Sequence, residues 1–309
     1  MRKNLLLGIA LLASAATSAQ SIYWPCTVTR ADGTINISAT NDGASSTIKA
    51  SDATPGEDFK ALTNDDGTGK TTAIKDQTGA NINFPDDTYA MIGWHPITGN
   101  SESNPETNAA EAETAGCYVD FTIEEEDVNK DLTGLKSVSF TVSKVGTDAV
   151  KMNCRLLGEG DGNISSDFLI NAENALTMGD EYKETDNSKA APWNESANGY
   201  NPSRNDGSKG ASGGANSTGV SNVKINIPAE IIAKNPYKLT LRLVGILIAN
   251  NKQLAFNNVS FNFGETIPTG IQTIKSEKAS NVIYNVAGQQ VDSNYKGLVI
   301  KNGRKMIQK

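Results

Sequence analysis

Three groups of side chains in this chain have the types and spacing to do chemistry. The densest is acidic: Glu124-Glu125-Glu126-Asp127, followed by Asp131. Hard oxygen ligands gathered at a strand end suit calcium. Glu124, Glu126, Asp127 and Asp131 are therefore the candidate ligands of a structural calcium ion, but a solvated acidic turn is the stronger reading of the same residues; no other cofactor is implied. The second group is aromatic. Trp94-His95-Pro96 closes an apolar run over residues 89–94, while Trp193 and Tyr200 sit in a polar stretch where no core pattern requires them. Aromatic faces stack on the C–H faces of sugar rings, so Trp94, His95, Trp193 and Tyr200 are the candidate ligand contacts. The competing expectation makes Trp94 a core plug and lets Trp193 anchor its own loop. The third group is any pair of carboxylates placed across a cleft for glycoside hydrolysis. With 35 acidic residues in the chain, sequence cannot select a pair, and no catalytic residue is assigned. Asp120 and Glu124 share one strand face, which fits a site and plain solvent exposure equally well.

Other motifs fail on context. Gly67-Thr68-Gly69-Lys70-Thr71-Thr72 looks like a phosphate loop, but the leading glycine is replaced by Asn64 and no apolar strand enters it. Gly210-Ala211-Ser212-Gly213-Gly214 matches a nucleophile-elbow string inside a low-complexity run, without the strand–turn–helix that would strain it. The three cysteines, Cys26, Cys117 and Cys154, have no metal-ligand spacing, and His95 is the single histidine. Cys117 and Cys154 fall on apolar strand phases. Two buried reduced thiols are expected there, with a disulfide between them as the alternative.

The elements that must position these groups are strands. Residues 116–126 alternate cleanly, with Cys117, Val119, Phe121 and Ile123 on one face and Tyr118, Asp120, Thr122 and Glu124 on the other. The same period fits Val138/Phe140/Val142, Val150/Met152/Cys154/Leu156, Val223/Ile225/Ile227 and Leu239/Leu241/Leu243. Each reads as a strand with one buried and one wet face. Between Phe256 and Val259 the step is three residues, which predicts a bulge near Asn257-Asn258. The main helix signal is a turn or two at residues 228–234, with Pro228 in its first position. Residues 30–85 carry few large apolar side chains and predict short strands with long loops. Residues 186–222 form a Ser/Asn/Gly-rich loop. The sum is an all-β antiparallel β-sandwich, jelly-roll-like, followed by a small C-terminal β-hairpin module.

Charge and the two chain ends bound the partners. Of a formal net charge of −7, two cations belong to Arg2 and Lys3, and residues 264–309 hold seven cations against three anions; residues 20–263 therefore carry −13. Such a body repels nucleic acid and anionic lipid. Residues 1–19 pair a basic start with a short apolar run and small residues at Thr17-Ser18-Ala19, the pattern of a secretory signal peptide cut after Ala19. No later apolar run is long enough for a membrane span. The expected organisation is a signal peptide (1–19), a β-sandwich body (20–263), a linker (264–281) and a tail (282–309), in a secreted protein found outside the cell or on the outer-membrane surface.

The tail contains Tyr284-Asn285-Val286-Ala287-Gly288-Gln289, then Lys296-Gly297-Leu298, then Asn302-Gly303-Arg304-Lys305. It resembles the C-terminal sorting domain of the type IX secretion system. The resemblance implies that Tyr284, Gly288, Lys296, Gly297, Asn302 and Gly303 form a sorting motif read by the secretion machinery, with export across the outer membrane. Asn302-Gly303 between alternating residues also predicts a two-residue hairpin turn. The body's strand pattern, closing on Phe256-Asn257-Asn258-Val259-Ser260-Phe261, resembles jelly-roll carbohydrate-binding or galactose-binding-like modules. That resemblance implies a non-catalytic glycan-binding or adhesive protein whose partner is a glycan or polysaccharide. A secreted glycan-degrading enzyme and a structural surface protein are the alternatives.

Overall fold

Strand alternation becomes layers once each strand hides its apolar phase. The computed structural model describes residues 20–264 apart from 30–31, 62, 64–68, 70, 73, 77, 83–88, 97–107, 133, 146–149, 176–190, 205–206, 208–218, 247 and 249–251. In the tail it describes 283–285, 290–291, 297–301 and 304–308. The chain divides into two compact units, Met1–Glu265 and Thr266–Lys309.

In the first unit, one sheet has the order Ser221–Asn226, Leu135–Val145, Gln253–Phe263, Tyr89–Pro96, Thr27–Thr29, Ile35–Asn36, with Gln20–Trp24 also paired to Gln253–Phe263. The other has the order Trp193–Asn194, Gly199–Tyr200, Lys151–Gly160, Lys238–Ile246, Tyr118–Glu125, Ile48–Ala50. The ladders within both sheets are antiparallel. From residue 118 onward the long strands alternate between the two sheets. Tyr118–Glu125, Lys151–Gly160 and Lys238–Ile246 lie in the second, while Leu135–Val145, Ser221–Asn226 and Gln253–Phe263 lie in the first. This crossing from layer to layer is jelly-roll-like connectivity, and the fold is the antiparallel sandwich its alternation predicts.

The inward phases meet between the sheets. Val119, Phe121, Ile123, Cys154, Leu156, Leu239, Leu241 and Leu243 from one layer join Val138, Phe140, Phe256 and Phe261 from the other in a single buried cluster. Trp24 packs edge-on against Phe121 (5.3 Å between centroids) and Phe261 (6.1 Å), and Phe140 meets Phe256 in the same way at 6.3 Å. Edge-to-face contacts of this kind contribute roughly 0.5–1.5 kcal/mol beyond burial.

The expected bulge lies in Gln253–Phe263. Its pairing with Leu135–Val145 steps from Ser139↔Ser260 to Thr141↔Asn257, so the strand carries one extra residue there. Asn258 takes φ +48, and its N–H turns to the Pro25 carbonyl at 3.1 Å. On its other edge the strand exchanges partners at this point, from Tyr89–Pro96 to Gln20–Trp24.

Elsewhere the structure adds to or corrects the sequence reading. A helix over Ala109–Thr114 was not expected; Asn108 caps it by accepting the N–H groups of Ala110 and Glu111. The expected turn near 228 is a helix over Ala229–Ile232, with Pro228 at the cap position and not inside it. Residues 193–200 of the supposed loop form a hairpin that joins the second sheet through Tyr200↔Met152. All three cysteines are buried thiols outside any disulfide, and burial pushes the Cys26 and Cys154 thiols up.

The second unit is a sheet ordered Gln290–Val291, Ile283–Asn285, Gly297–Lys301, Arg304–Gln308. Lys301 pairs with Arg304 in the last ladder. Among the expected sorting residues, Tyr284 lies in Ile283–Asn285 and Gly297 opens Gly297–Lys301. Gly288, Lys296, Asn302 and Gly303 lie outside the described residues, as do residues 1–19 and the Ser212 string. Among the described residues, no helix is long and apolar enough to cross a membrane.

Candidate functional site

The strand Tyr118–Glu125 carries its inward phase one step past Ile123, and the next inward residue is a glutamate. Glu125 is 4% exposed, and its Oε1 has no hydrogen-bond partner. Around it, four chain turns close one end of the second sheet into a pocket of about 890 Å³. The turn before Ile48–Ala50 gives Ser45, Thr47 and Ile48. The acidic turn gives Val128, Asn129, Lys130 and Asp131. The strand end at Gly160 adds Asp161, and the segment after the Ala229–Ile232 helix adds Asn235 and Tyr237.

Backbone bonds fix these turns to one another. The Glu125 N–H donates to the Tyr237 carbonyl (2.8 Å), Glu126 to Thr47 (3.0 Å), Leu132 to Pro236 (2.7 Å) and Asp161 to Lys234 (2.6 Å). Side chains continue the frame. Asn235 Nδ2 donates to Asp161 Oδ2 at 2.7 Å, and the Tyr237 hydroxyl donates to Glu159 Oε2. That second bond is the first cause holding the Tyr237 phenol above its ordinary value, with desolvation and nearby negative charge adding to it. Gly160 is required here: a Cβ would sit 2.3 Å from the Lys234 carbonyl oxygen, so only glycine lets the strand end pass beneath the helical turn.

The candidate calcium ligands do not converge. Glu124 points outward toward Lys238 Nζ at 3.5 Å, and Glu126 reaches Lys49 Nζ at 3.1 Å in an exposed pair. Asp127 Oδ1 accepts the Asn129 N–H (3.1 Å) and Nδ2 (2.9 Å), an arrangement that holds its carboxyl below its ordinary value and shapes the turn. Only Asp131 of the four lines the pocket. Among the described residues, no group of three His, Cys, Asp or Glu side chains comes together as a metal site. The physical reason is strand phase, which sends Glu124 outward and Glu125 inward.

Among the candidate ligand aromatics, Trp94 takes the core-plug alternative and Tyr200 is corrected. Trp94 is 1% exposed and stacks on Phe59 at 6.1 Å; Tyr200 has no exposed surface, and burial pushes its phenol up. Neither ring has a face free for a sugar, because both side chains fall on the inward side of their strands. His95 is half-buried and lies opposite Lys60 in register. Trp193 is half-buried, packs against the core, and donates from Nε1 to Glu195 Oε2 at 2.8 Å.

A second polar constellation lies on the outward face of the second sheet. Arg242 grips Asp120 with two bonds (2.8 and 2.7 Å) and Glu113 with a third (3.0 Å), while Arg155 holds the other Glu113 oxygen at 3.0 Å. Arg242 also lies 3.6 Å over the Tyr118 ring. Burial alone would pull the Arg242 guanidinium down, but the bonds to Asp120 and Glu113 outweigh it and hold it up. Both carboxylates are committed to cations, so this cluster clasps the Ala109–Thr114 helix to the sheet and leaves neither acid available as a base.

Sequence reading missed Glu125, Asp161, Asn235 and Tyr237. Only Glu125 carried a signal, because it continues the series Cys117, Val119, Phe121, Ile123.

No family model matches the chain, and no curated protein matches it. Among solved structures, the Caldicellulosiruptor saccharolyticus module CBM27-1, in a crystal structure with mannohexaose, is 15% identical over 66% of this chain and 89% of its own, with a TM-score of 0.24. A likeness that distant carries no argument about fold or ligand.

Proposed function

We propose that this chain is an exported, non-catalytic glycan-binding or adhesive protein that meets its sugar in the pocket at the end of the sandwich. The observation that supports this most is the pocket itself. Its volume of about 890 Å³ lies in the range of small-molecule sites, and its wall combines a phenol ring with amides, hydroxyls and carboxylates on a rigid frame. Sugars offer apolar C–H faces and many hydroxyls, and a wall of that composition complements both. Export rests on the signal-like residues 1–19 and on the tail, whose Tyr284, Gly288, Lys296-Gly297 and Asn302-Gly303 match the sorting-domain pattern.

A glycan array probed with the purified chain tests the binding half. Retention of one group of glycans is the expected result, and an empty array overturns the reading. A reducing-end assay on the retained glycans distinguishes binder from enzyme, since a binder releases nothing. Deleting residues 282–309 tests the export half. The truncated chain should accumulate in the periplasm, and normal surface delivery would contradict the role assigned to the tail.

A further inference from the structure

We infer that the pocket selects its sugar by hydrogen-bond donors carrying no negative charge, with Glu125 as the residue that receives them. It takes neutral or amino sugars and turns away uronic and sulfated ones. This rests on the glycan reading above and deepens it.

The argument begins with phase. Cys117, Val119, Phe121 and Ile123 are all buried side chains of the core, and the position after them on the same face calls for another apolar residue. A carboxylate stands there instead. It is almost wholly withdrawn from water, lines the pocket, and keeps one oxygen without a donor. A buried charged acceptor is retained at such a place when something supplies the missing bond. The wall narrows what that something is. Glu125, Asp131 and Asp161 place three carboxylates there against the single cation Lys130, so an anionic ligand meets net repulsion. A bare metal ion is disfavoured too, because the described residues gather no set of three acidic, His or Cys ligands. What remains is a polar ligand with O–H or N–H⁺ donors, and a sugar hydroxyl or a 2-amino group supplies one. Tyr237, tethered through its hydroxyl to Glu159, adds an aromatic ring to the same wall.

The test is isothermal titration of the full chain with five probes: a neutral gluco-hexaose, a neutral manno-hexaose, a chitosan hexamer, an oligogalacturonate of equal length, and calcium chloride alone. The expected result is binding of a neutral or amino hexamer at least tenfold tighter than the uronate. The same titrations with Glu125→Gln should weaken the preferred sugar about tenfold, the scale of a lost charge-assisted hydrogen bond, and narrow the gap to the uronate. The neutral and amino arms separate the two donor sources. The wild-type selectivity requires no variant, so a variant that misfolds does not end the test.

Failure of all four sugar probes to bind sinks the glycan reading and this inference with it. Sugar binding in which the uronate is equal or better, or in which Glu125→Gln stays within twofold of wild type, overturns this inference alone. Calcium binding that is lost in Glu125→Gln also overturns it, by making the pocket a cation site.

Discussion

Replacing Glu125 with leucine should make the protein more stable. In the unliganded chain, its Oε1 is buried without a partner. An unsatisfied buried polar atom costs about 1–3 kcal/mol, and more when it carries charge. Leucine removes that cost and restores the apolar phase set by Val119, Phe121 and Ile123. A gain of about 1–3 kcal/mol is therefore the expected scale. For a body of this size each kcal/mol moves Tm by roughly 2–4 °C, which gives a rise of about 2–12 °C by scanning calorimetry. Glu124→Leu, one residue earlier on the outward phase, is the control and should stay within about 0.5 kcal/mol of wild type. Titration with the preferred sugar should show binding lost in Glu125→Leu and kept in the control, the pattern of a residue held for function against stability. A fall in Tm for Glu125→Leu would refute the reasoning, because it would mean the carboxylate already has a partner that stabilises the fold.

Other expectations follow from the same structure. Glu113→Ala removes the carboxylate that both Arg155 and Arg242 hold, with all three side chains only 16–22% exposed. It should cost about 2–3 kcal/mol in denaturant unfolding, below the value for a fully buried pair because water reaches the site. Trp94→Ala should cost about 3–5 kcal/mol, since it empties a core site against Phe59. Trp193→Ala, at a half-buried edge position, should lower Tm by a few degrees and leave sugar affinity within twofold; a large loss of affinity would move the site to that hairpin. A thiol reagent should find no reactive cysteine in the folded chain and three after denaturation, since Cys26, Cys117 and Cys154 are buried thiols outside any disulfide.

Much of the fold was legible because strand alternation reports burial directly. The phases of residues 117–123, 138–142, 150–156, 223–227 and 239–243 all survive in the two sheets, and the three-residue step at Phe256–Val259 is a real bulge. Elements whose cause is tertiary were not legible. The Ala109–Thr114 helix has only alanines to bury and exists because Glu113 is clasped by arginines from two distant strands. Tyr200 looked like a loop aromatic because its surroundings in sequence are polar, whereas Trp94 closes an apolar run and its core reading was open, although its ring partner Phe59 comes from far along the chain.

The site itself was half legible. Counting acids along 124–131 led to the end of the sandwich that holds the pocket but, Asp131 apart, to side chains that do not line it, because neighbours in a strand point to opposite faces. Asp161, Asn235 and Tyr237 carry no local signal; they reach the pocket through the pairing of Lys151–Gly160 with Lys238–Ile246.

The account depends on a sugar occupying the sandwich end, and a crystal structure of the chain with the neutral or amino oligosaccharide it prefers examines that directly. The prediction is a sugar ring seated between the 45–48 and 128–131 turns, with a hydroxyl or amino group within hydrogen-bond distance of Glu125 Oε1. Density for the sugar on the outward face of the second sheet or at the Trp193 hairpin, with this pocket filled only by water, would contradict it.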